Sequence, residues 1–141
     1  MKISIITPNY NYGHYIDKTI ISVINQNYKN VEHVIVDDGS TDNSIEVIQS
    51  LQKKFPKIIR LKKQENSGQS NALNNALDMV SGDVIGWINS DDTFCDDIFK
   101  KIINLFKNDK DLDIVIGDMN VVDIDGKFKY TRRHLKYNFT E

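Results

Sequence analysis

Short apolar runs alternate along this chain with stretches whose apolar residues recur every three or four positions. Ile3 to Ile6 is β-branched and closed by Pro8, and reads as a buried strand. Tyr15, Ile16, Ile20, Val23 and Ile24 follow at helical spacing. Val31 to Val36 predicts a second strand. Ile45, Ile48, Leu51 and Phe55 mark a second helix, with Asp42 placed to favour its N-terminus and Pro56 to stop it. A short third strand is expected over Ile58 to Leu61. Ala72, Leu73, Ala76, Leu77 and Val80 form a third helical stripe, ended by Ser81-Gly82. Val84 to Ile88 reads as a fourth strand, with Trp87 in the core. Ile98, Ile102, Ile103 and Phe106 form a fourth helix that opens at Asp96 and Asp97. Ile114 to Ile116 and Val121 to Ile124 read as further strands, and Asp125-Gly126 as a hairpin turn.

Strands and helices in alternation imply βαβ units: an α/β fold with a mostly parallel sheet flanked by helices. The 141 residues suit one domain with one core, over 1–141. Past about residue 125 the pattern weakens into a polar, basic tail holding Arg132, Arg133, His134 and Lys136. The fold therefore reads as truncated. An unfinished sheet exposes an edge that would invite pairing with a second copy, a homo-oligomer.

Hydrophobic residues make up 40% and charged residues 27%, as in a soluble globular protein. The net charge of −2 provides no basic field for a phosphate backbone, so no nucleic acid partner is expected. The single cysteine, Cys95, excludes an internal disulfide and a cysteine-rich metal site. No apolar run approaches the roughly 20 residues of a membrane span. The N-terminal apolar stretch is too short for a signal peptide, which points to the cytoplasm. The basic tail could touch a phosphate or a membrane surface, giving peripheral membrane association, although a solvated end is the simpler reading. The Asn138-Phe139-Thr140 sequon is then incidental.

Three polar clusters follow strands: Thr7-Pro8-Asn9-Tyr10-Asn11, Asp37-Asp38-Gly39-Ser40-Thr41-Asp42 and Asn89-Ser90-Asp91-Asp92. A fourth, Asn66-Ser67-Gly68, precedes the third helix. In a parallel sheet all four would converge on the edge where such folds bind ligands. A carboxylate of the Asp37-Asp38 pair could accept hydrogen bonds from a base or ribose; it could equally cap the next helix. Asp91-Asp92 is a sharper signal. Two adjacent carboxylates repel unless a cation intervenes, and Mg²⁺ or Mn²⁺ is typically held by one or two carboxylates plus phosphates. The alternative is again a helix-opening loop. The stretch from Asn66 to Asn71 opens a helix without acids, a setting that attracts anions. Thr7, Pro8, Asn9 and Tyr10 could present backbone groups and a ring to a base, or form only a rigid turn. His33 lies within a strand and reads as structural; His14 reads as solvated. GxGxxG, GxxxxGK[ST] and HExxH are all absent, which removes the usual dinucleotide, P-loop and zincin readings.

The four clusters in this order resemble the family 2 glycosyltransferases, inverting enzymes with the GT-A fold. The resemblance runs from Ile3 to about Gly126 and rests on the set of motifs. It implies that the chain is the N-terminal, nucleotide-sugar-binding portion of such an enzyme. Pro8, Asn9 and Tyr10 would line a base pocket. Asp38 would bond the base, typically uracil, with Gly68 and Asn71 beside base and ribose. Asn89-Ser90-Asp91 stands where the family carries its Asp-x-Asp motif. Asp91 would then hold Mn²⁺ or Mg²⁺ with the donor diphosphate, and Asp92 would support it or contact the ribose or sugar. Two positions depart from the pattern: Asn89 replaces the first acid, and Leu73 stands where many relatives carry Arg. The implied reaction moves a sugar from a nucleotide sugar, with UDP as the expected carrier, to an acceptor hydroxyl on a glycan or lipid-linked acceptor, in bacterial-type polysaccharide or glycan biosynthesis. No residue reads as the catalytic base, which is expected beyond Glu141. A nucleotide-sugar-binding module without transferase activity is the rival reading. A nucleotidyltransferase is another, but it would want a Gly-rich, basic loop after the first strand, which Thr7-Pro8-Asn9-Tyr10 does not supply.

Overall fold

The computed structural model describes residues 1–134, in two compact units: Met1–Ile103, and a second that begins at Asn104. Lys136 of the basic tail and the Asn138–Thr140 sequon lie outside the described residues.

In the first unit the two most apolar runs become the two central strands, β1 (Ile3–Asn9) and β2 (Val31–Asp37), buried at all seven positions each. β3 (Ile59–Lys63) and β4 (Val84–Trp87) flank them in a parallel sheet ordered β3-β2-β1-β4. The crossovers are α1 (Ile16–Ile24), α2 (Ser44–Lys54) and α3 (Gln69–Leu77), and α4 (Ile98–Asn108) follows β4.

Side chains alternate across a strand, so each central strand feeds two cores. On one face Ile3 and Ile5 pack with Val23 of α1 and with Phe99 and Ile103 of α4. On the same face Ile35 and Ile59 meet Ile16 and Ile20 of α1 and Ile48 of α2. On the other face Ile6, Val34 and Val36 meet Ala72 and Ala76 of α3. The small alanines let α3 approach the sheet closely. α3 ends at Leu77, before the expected Ser81-Gly82, yet Met79 and Val80 still pack against this second core. Burying the Ile5 side chain alone is worth about 2 kcal/mol.

Trp87 corrects the sequence reading: it is 56% exposed, not in the core. Register pairs Ile85 with Ser4 and Trp87 with Ile6, which puts both on the face that α3 covers. α3 packs over β1 and β2, however, and β4 is the outermost strand. Among the described residues no strand pairs with its outer edge.

At the opposite end of the sheet from the strand-end loops, Glu32 is buried and accepts from Lys2 Nζ (2.8 Å), Ser4 Oγ (2.6 Å) and the Ser81 amide (2.6 Å). Burial pushes its carboxyl up, but these hydrogen bonds outweigh that cost and hold it at about 2.

The second unit contains an antiparallel hairpin of β5 (Met119–Val122) and β6 (Phe128–Arg132). The expected Asp125-Gly126 turn is present, with Gly126 at φ +80°. Asp123 Oδ1 accepts from the Asp125 and Lys127 amides. Lys129 beside its other oxygen, with those amides, lowers its pKa. Part of the stretch read as a solvated tail is thus a strand. Ile114 to Ile116, expected as a strand, forms no ladder among the described residues: an apolar run becomes a strand only where a partner supplies the hydrogen bonds.

Candidate functional site

β1, β2 and β4 all end at one edge of the sheet, where their loops and the start of α3 line a cleft of about 530 Å³. Pro8, Asn9, Tyr10 and Tyr12 come from the β1 loop and Asp38 from the β2 loop. Asn66, Gly68, Gln69 and Ala72 come from the approach to α3 and its first turn; Asn89, Ser90 and Asp91 come from the β4 loop.

The adjacent carboxylates of Asp37 and Asp38 have separate tasks. Asp37 is fully buried and accepts from Asn9 Nδ2 (2.8 Å), the Ser40 amide (2.9 Å) and Ser40 Oγ (2.7 Å). It is spent on binding the β1 loop to the β2 loop. Asp38 is 4% exposed and lines the cleft. Its Oδ1 accepts from Gln64 Nε2 (2.7 Å) and the Ser67 amide (2.8 Å), and its Oδ2 from the Gly68 amide (2.9 Å). A carboxylate has about four lone-pair directions, so one on Oδ2 stays open.

The two loops are tied further along. Asn11, at φ +58°, donates its amide to Ser40 Oγ and accepts from the Thr41 amide (2.8 Å). The Gly13 amide donates to Asp42 Oδ2 (2.8 Å), and Asp42 Oδ1 accepts from the Ser44 amide at the start of α2. Asp42 thus serves the helix start as expected. Burial would raise its pKa, but the bonds from Ser44 and Gly13 lower it. A Cβ on Gly13 would lie 2.0 Å from Asn43 Oδ1 and 3.0 Å from the Ser44 amide nitrogen, so any larger residue would press on the start of α2. The tied loops hold Tyr10 and Tyr12 on the cleft wall with their rings exposed.

The β4 loop is anchored by two hydroxyls. Ser90 Oγ donates to the Pro8 carbonyl (2.8 Å). Thr19 Oγ1, from α1, lies 2.8 Å from both the Ser90 and the Asp92 carbonyl, the two that flank Asp91. The Asp91 carboxylate is exposed at the cleft, and no hydrogen bond or ion pair among the described residues engages it. Asp92 does not line the cleft; its Oδ2 accepts from Asn89 Nδ2 (3.1 Å), while Asn89 Oδ1 accepts from Gln69 (3.4 Å).

At α3, Gly68 stands at φ +90°, a conformation costly for other residues, and turns its amide onto Asp38. The first helical turn carries no acid and no side-chain cap.

The structure thus gathers Pro8, Asn9, Tyr10, Asp38, Gly68, Ser90 and Asp91 in one cleft. Three expected residues lie off it. Thr7 is fully buried, with Oγ1 2.9 Å from His33 Nε2, because strand alternation turns it to the face of the sheet that carries Ile3 and Ile5. Asn71 reaches back to the Ser67 carbonyl (2.8 Å). Asp92 holds Asn89. Sequence reasoning missed Tyr12, Gln69 and Ala72 as lining residues, and Thr19 and Gln64 as supports. His33 is structural as read: desolvation lowers its pKa to about 3, so it is neutral.

No group of three or more His, Cys, Asp or Glu converges among the described residues. The free Asp91 carboxylate, with Asn89 lining the same cleft, is a partial, oxygen-based donor set. It suits a hard divalent cation that takes its other ligands from phosphate and water, not an all-protein metal cage. No described helix is long and apolar enough to cross a membrane.

A family model described as Glycosyl transferase family 2 matches residues 4–141. An uncharacterized glycosyltransferase of Nostoc sp. is 40% identical over 130 residues, which are 92% of this chain and 39% of that protein. The chain therefore spans about two fifths of the length of that relative. Among solved structures, Staphylococcus aureus TarS 1–349 in complex with UDP-GlcNAc superposes with a TM-score of 0.70 at 29% identity, over 77% of this chain and 32% of that one. The mannosyltransferase PcManGT of Pyrobaculum calidifontis, in complex with GDP-Man and Mn²⁺, gives 0.64 at 25% identity, over 68% and 29%. The four-stranded parallel sheet with its helices is the GT-A fold, and the chain covers part of those structures.

Proposed function

This chain belongs to glycosyl transferase family 2, and from that premise we propose that its cleft holds the donor of a sugar transfer, a UDP-sugar. The carrying observation is that Asp38, with one acceptor direction open, and Asp91, with a free carboxylate, line the same cleft. Asp38 would accept from the base edge. Tyr10 and Tyr12 would offer ring faces to it. The uncapped first turn of α3 would favour the diphosphate. Asp91 would hold Mn²⁺ or Mg²⁺ together with that diphosphate, and Asp92 would act only through Asn89. Such a cation supplies electrostatic stabilisation of the leaving diphosphate. That TarS and PcManGT are described with a nucleotide sugar, and PcManGT also with Mn²⁺, supports this reading.

The transfer itself is a single displacement with inversion onto an acceptor hydroxyl, in polysaccharide or glycan assembly. Both carboxylates of the cleft are assigned to the donor, so neither is offered as the base that deprotonates the acceptor. That same observation favours the second reading, a binding module that holds a nucleotide sugar without transferring it.

Titration calorimetry with UDP, with and without Mn²⁺, tests the donor site on this chain and on Asp91→Asn. Binding that needs Mn²⁺ and weakens about tenfold or more in the variant is expected, the loss of one charged ligand. No binding of UDP in either condition, or equal binding by the variant, would sink the proposal.

A further inference from the structure

Asp38 is served from behind by a chain of polar side chains whose direction is fixed at both ends. Lys62 Nζ lies 2.7 Å from Asn75 Oδ1. Asn75 Nδ2 lies 2.7 Å from Gln64 Oε1. Gln64 Nε2 lies 2.7 Å from Asp38 Oδ1. An ammonium group can only donate and an ionised carboxylate can only accept. Lysine therefore fixes the Asn75 amide oxygen toward itself, which leaves the Asn75 nitrogen to face Gln64. That in turn puts the Gln64 nitrogen on Asp38. Read from the carboxylate end, the order is the same, so neither amide can flip without setting two acceptors or two donors face to face. Lys62, Gln64 and Asn75 are all half-buried, which strengthens each link over its value in water. None of the three is among the cleft-lining residues.

We infer that Lys62 and Asn75 are positioning residues that act through Gln64 to hold Asp38 as a fixed acceptor and so select a base edge that presents an N–H. The inference rests on the donor-site reading and deepens it. Uracil offers N3–H at the centre of that edge, where cytosine has a bare N3 lone pair that a carboxylate repels and carries its N–H groups only on the flanking 4-amino nitrogen. With Oδ1 filled by Gln64 and Ser67 and one side of Oδ2 filled by Gly68, the carboxylate cannot rotate to present anything else. Specificity here comes as much from what the site refuses as from what it binds.

Asn75→Asp tests this with almost no change of shape. A carboxylate at that position still accepts from Lys62 but cannot donate to Gln64. The Gln64 amide then stands between two carboxylates, must set its oxygen against one of them, and no longer holds Asp38 in a single orientation. Two readouts are taken on the folded chain. The first needs no nucleotide: the nuclear Overhauser contact between the Gln64 side-chain amide protons and the Ser67 amide proton. It is expected in the wild type and at least halved in Asn75→Asp. The second is the ratio of UDP to CDP affinity by calorimetry with Mn²⁺. It is expected to fall about tenfold or more in Asn75→Asp, the loss of a hydrogen bond to a charged group. Lys62→Met should lower the ratio, and Lys62→Arg, which keeps a donor, should restore most of it. A general loosening of the fold would weaken UDP and CDP alike and leave the ratio unmoved. The inference is overturned if the amide contact keeps its full intensity in Asn75→Asp, or if the ratio is unchanged. If the contact weakens but the wild type binds no UDP, the donor-site reading fails, and the selective role fails with it.

Discussion

Replacing the buried Thr19 by Val should cost more than so small a change of shape would imply. The substitution keeps the shape and exchanges a hydroxyl for a methyl. Helix propensity hardly changes, since Thr and Val are close on that scale. What changes is the β4 loop. One hydroxyl proton now serves two carbonyls, those of Ser90 and Asp92, each 2.8 Å away. The Ser90 contact is buried, so its carbonyl loses its one side-chain donor among the described residues; the Asp92 contact is part-buried, and water can replace it in part. A buried acceptor left unpaired costs about 1–3 kcal/mol, so about 2 kcal/mol is expected for the pair. With a denaturant slope of about 2 kcal/mol per molar urea for a chain of this size, the unfolding midpoint should drop by about 1 M. Thr19→Ser keeps the donor and should recover most of that. Because the two carbonyls flank Asp91, Thr19→Val should also weaken Mn²⁺-dependent UDP binding. A midpoint shift below about 0.2 M urea, which is under about 0.5 kcal/mol, would refute the reasoning.

Acid should destabilise the fold in two steps. The folded-state pKa of His33 is lowered to about 3 from an ordinary 6.5, so its stabilising contribution is complete above 6.5 and is lost as the pH falls from there toward 3, by up to about 1.4 kcal/mol per pH unit. Glu32, held at about 2 against an ordinary 4.5, adds a second loss only between 4.5 and 2. Urea unfolding at pH 7.5, 6 and 5 isolates the histidine step, and His33→Gln should flatten it; an unchanged slope would speak against the assignment. Gly13→Ala puts a Cβ 2.0 Å from Asn43 Oδ1 and 3.0 Å from the Ser44 amide nitrogen. The Asn43 side chain can swing away but the backbone cannot, so a loss of about 1–3 kcal/mol is expected in thermal or urea melts. Wild-type stability in that variant would show that the loops are not tightly joined there.

The central strands were legible because both faces of β1 and β2 are covered, and a strand covered on both faces is apolar throughout. The edge strand was not legible in the same way. Val84 to Ile88 looks like its neighbours in sequence, and only the order of strands shows that Ile85 and Trp87 lie beyond the reach of α3. The clusters that line the cleft were readable from their position after strands. Which side chain of each cluster faces the cleft was not, because that depends on phase. Thr7 sits one residue from Pro8 and turns to the opposite face of the sheet, beside His33. Asn71 sits two residues from Gln69 and turns back to Ser67. Asp37 and Asp38 divide in the same manner, one for the loop and one for the cleft. Thr19, Gln64 and Asn75 left no sequence signal, because each acts on a partner at least 11 residues away in the chain.

Trp87 is the only tryptophan in the sequence. Its exposed indole, two residues before Asn89, gives the chain a built-in fluorophore at the end of β4, one whose emission is that of an indole in water. Anything that comes to rest along that edge would shift the emission to shorter wavelength, and a nucleotide that disturbs the Asn89–Asp91 loop would alter its intensity. The uncovered strand is thus also an optical window on the cleft, readable without a label.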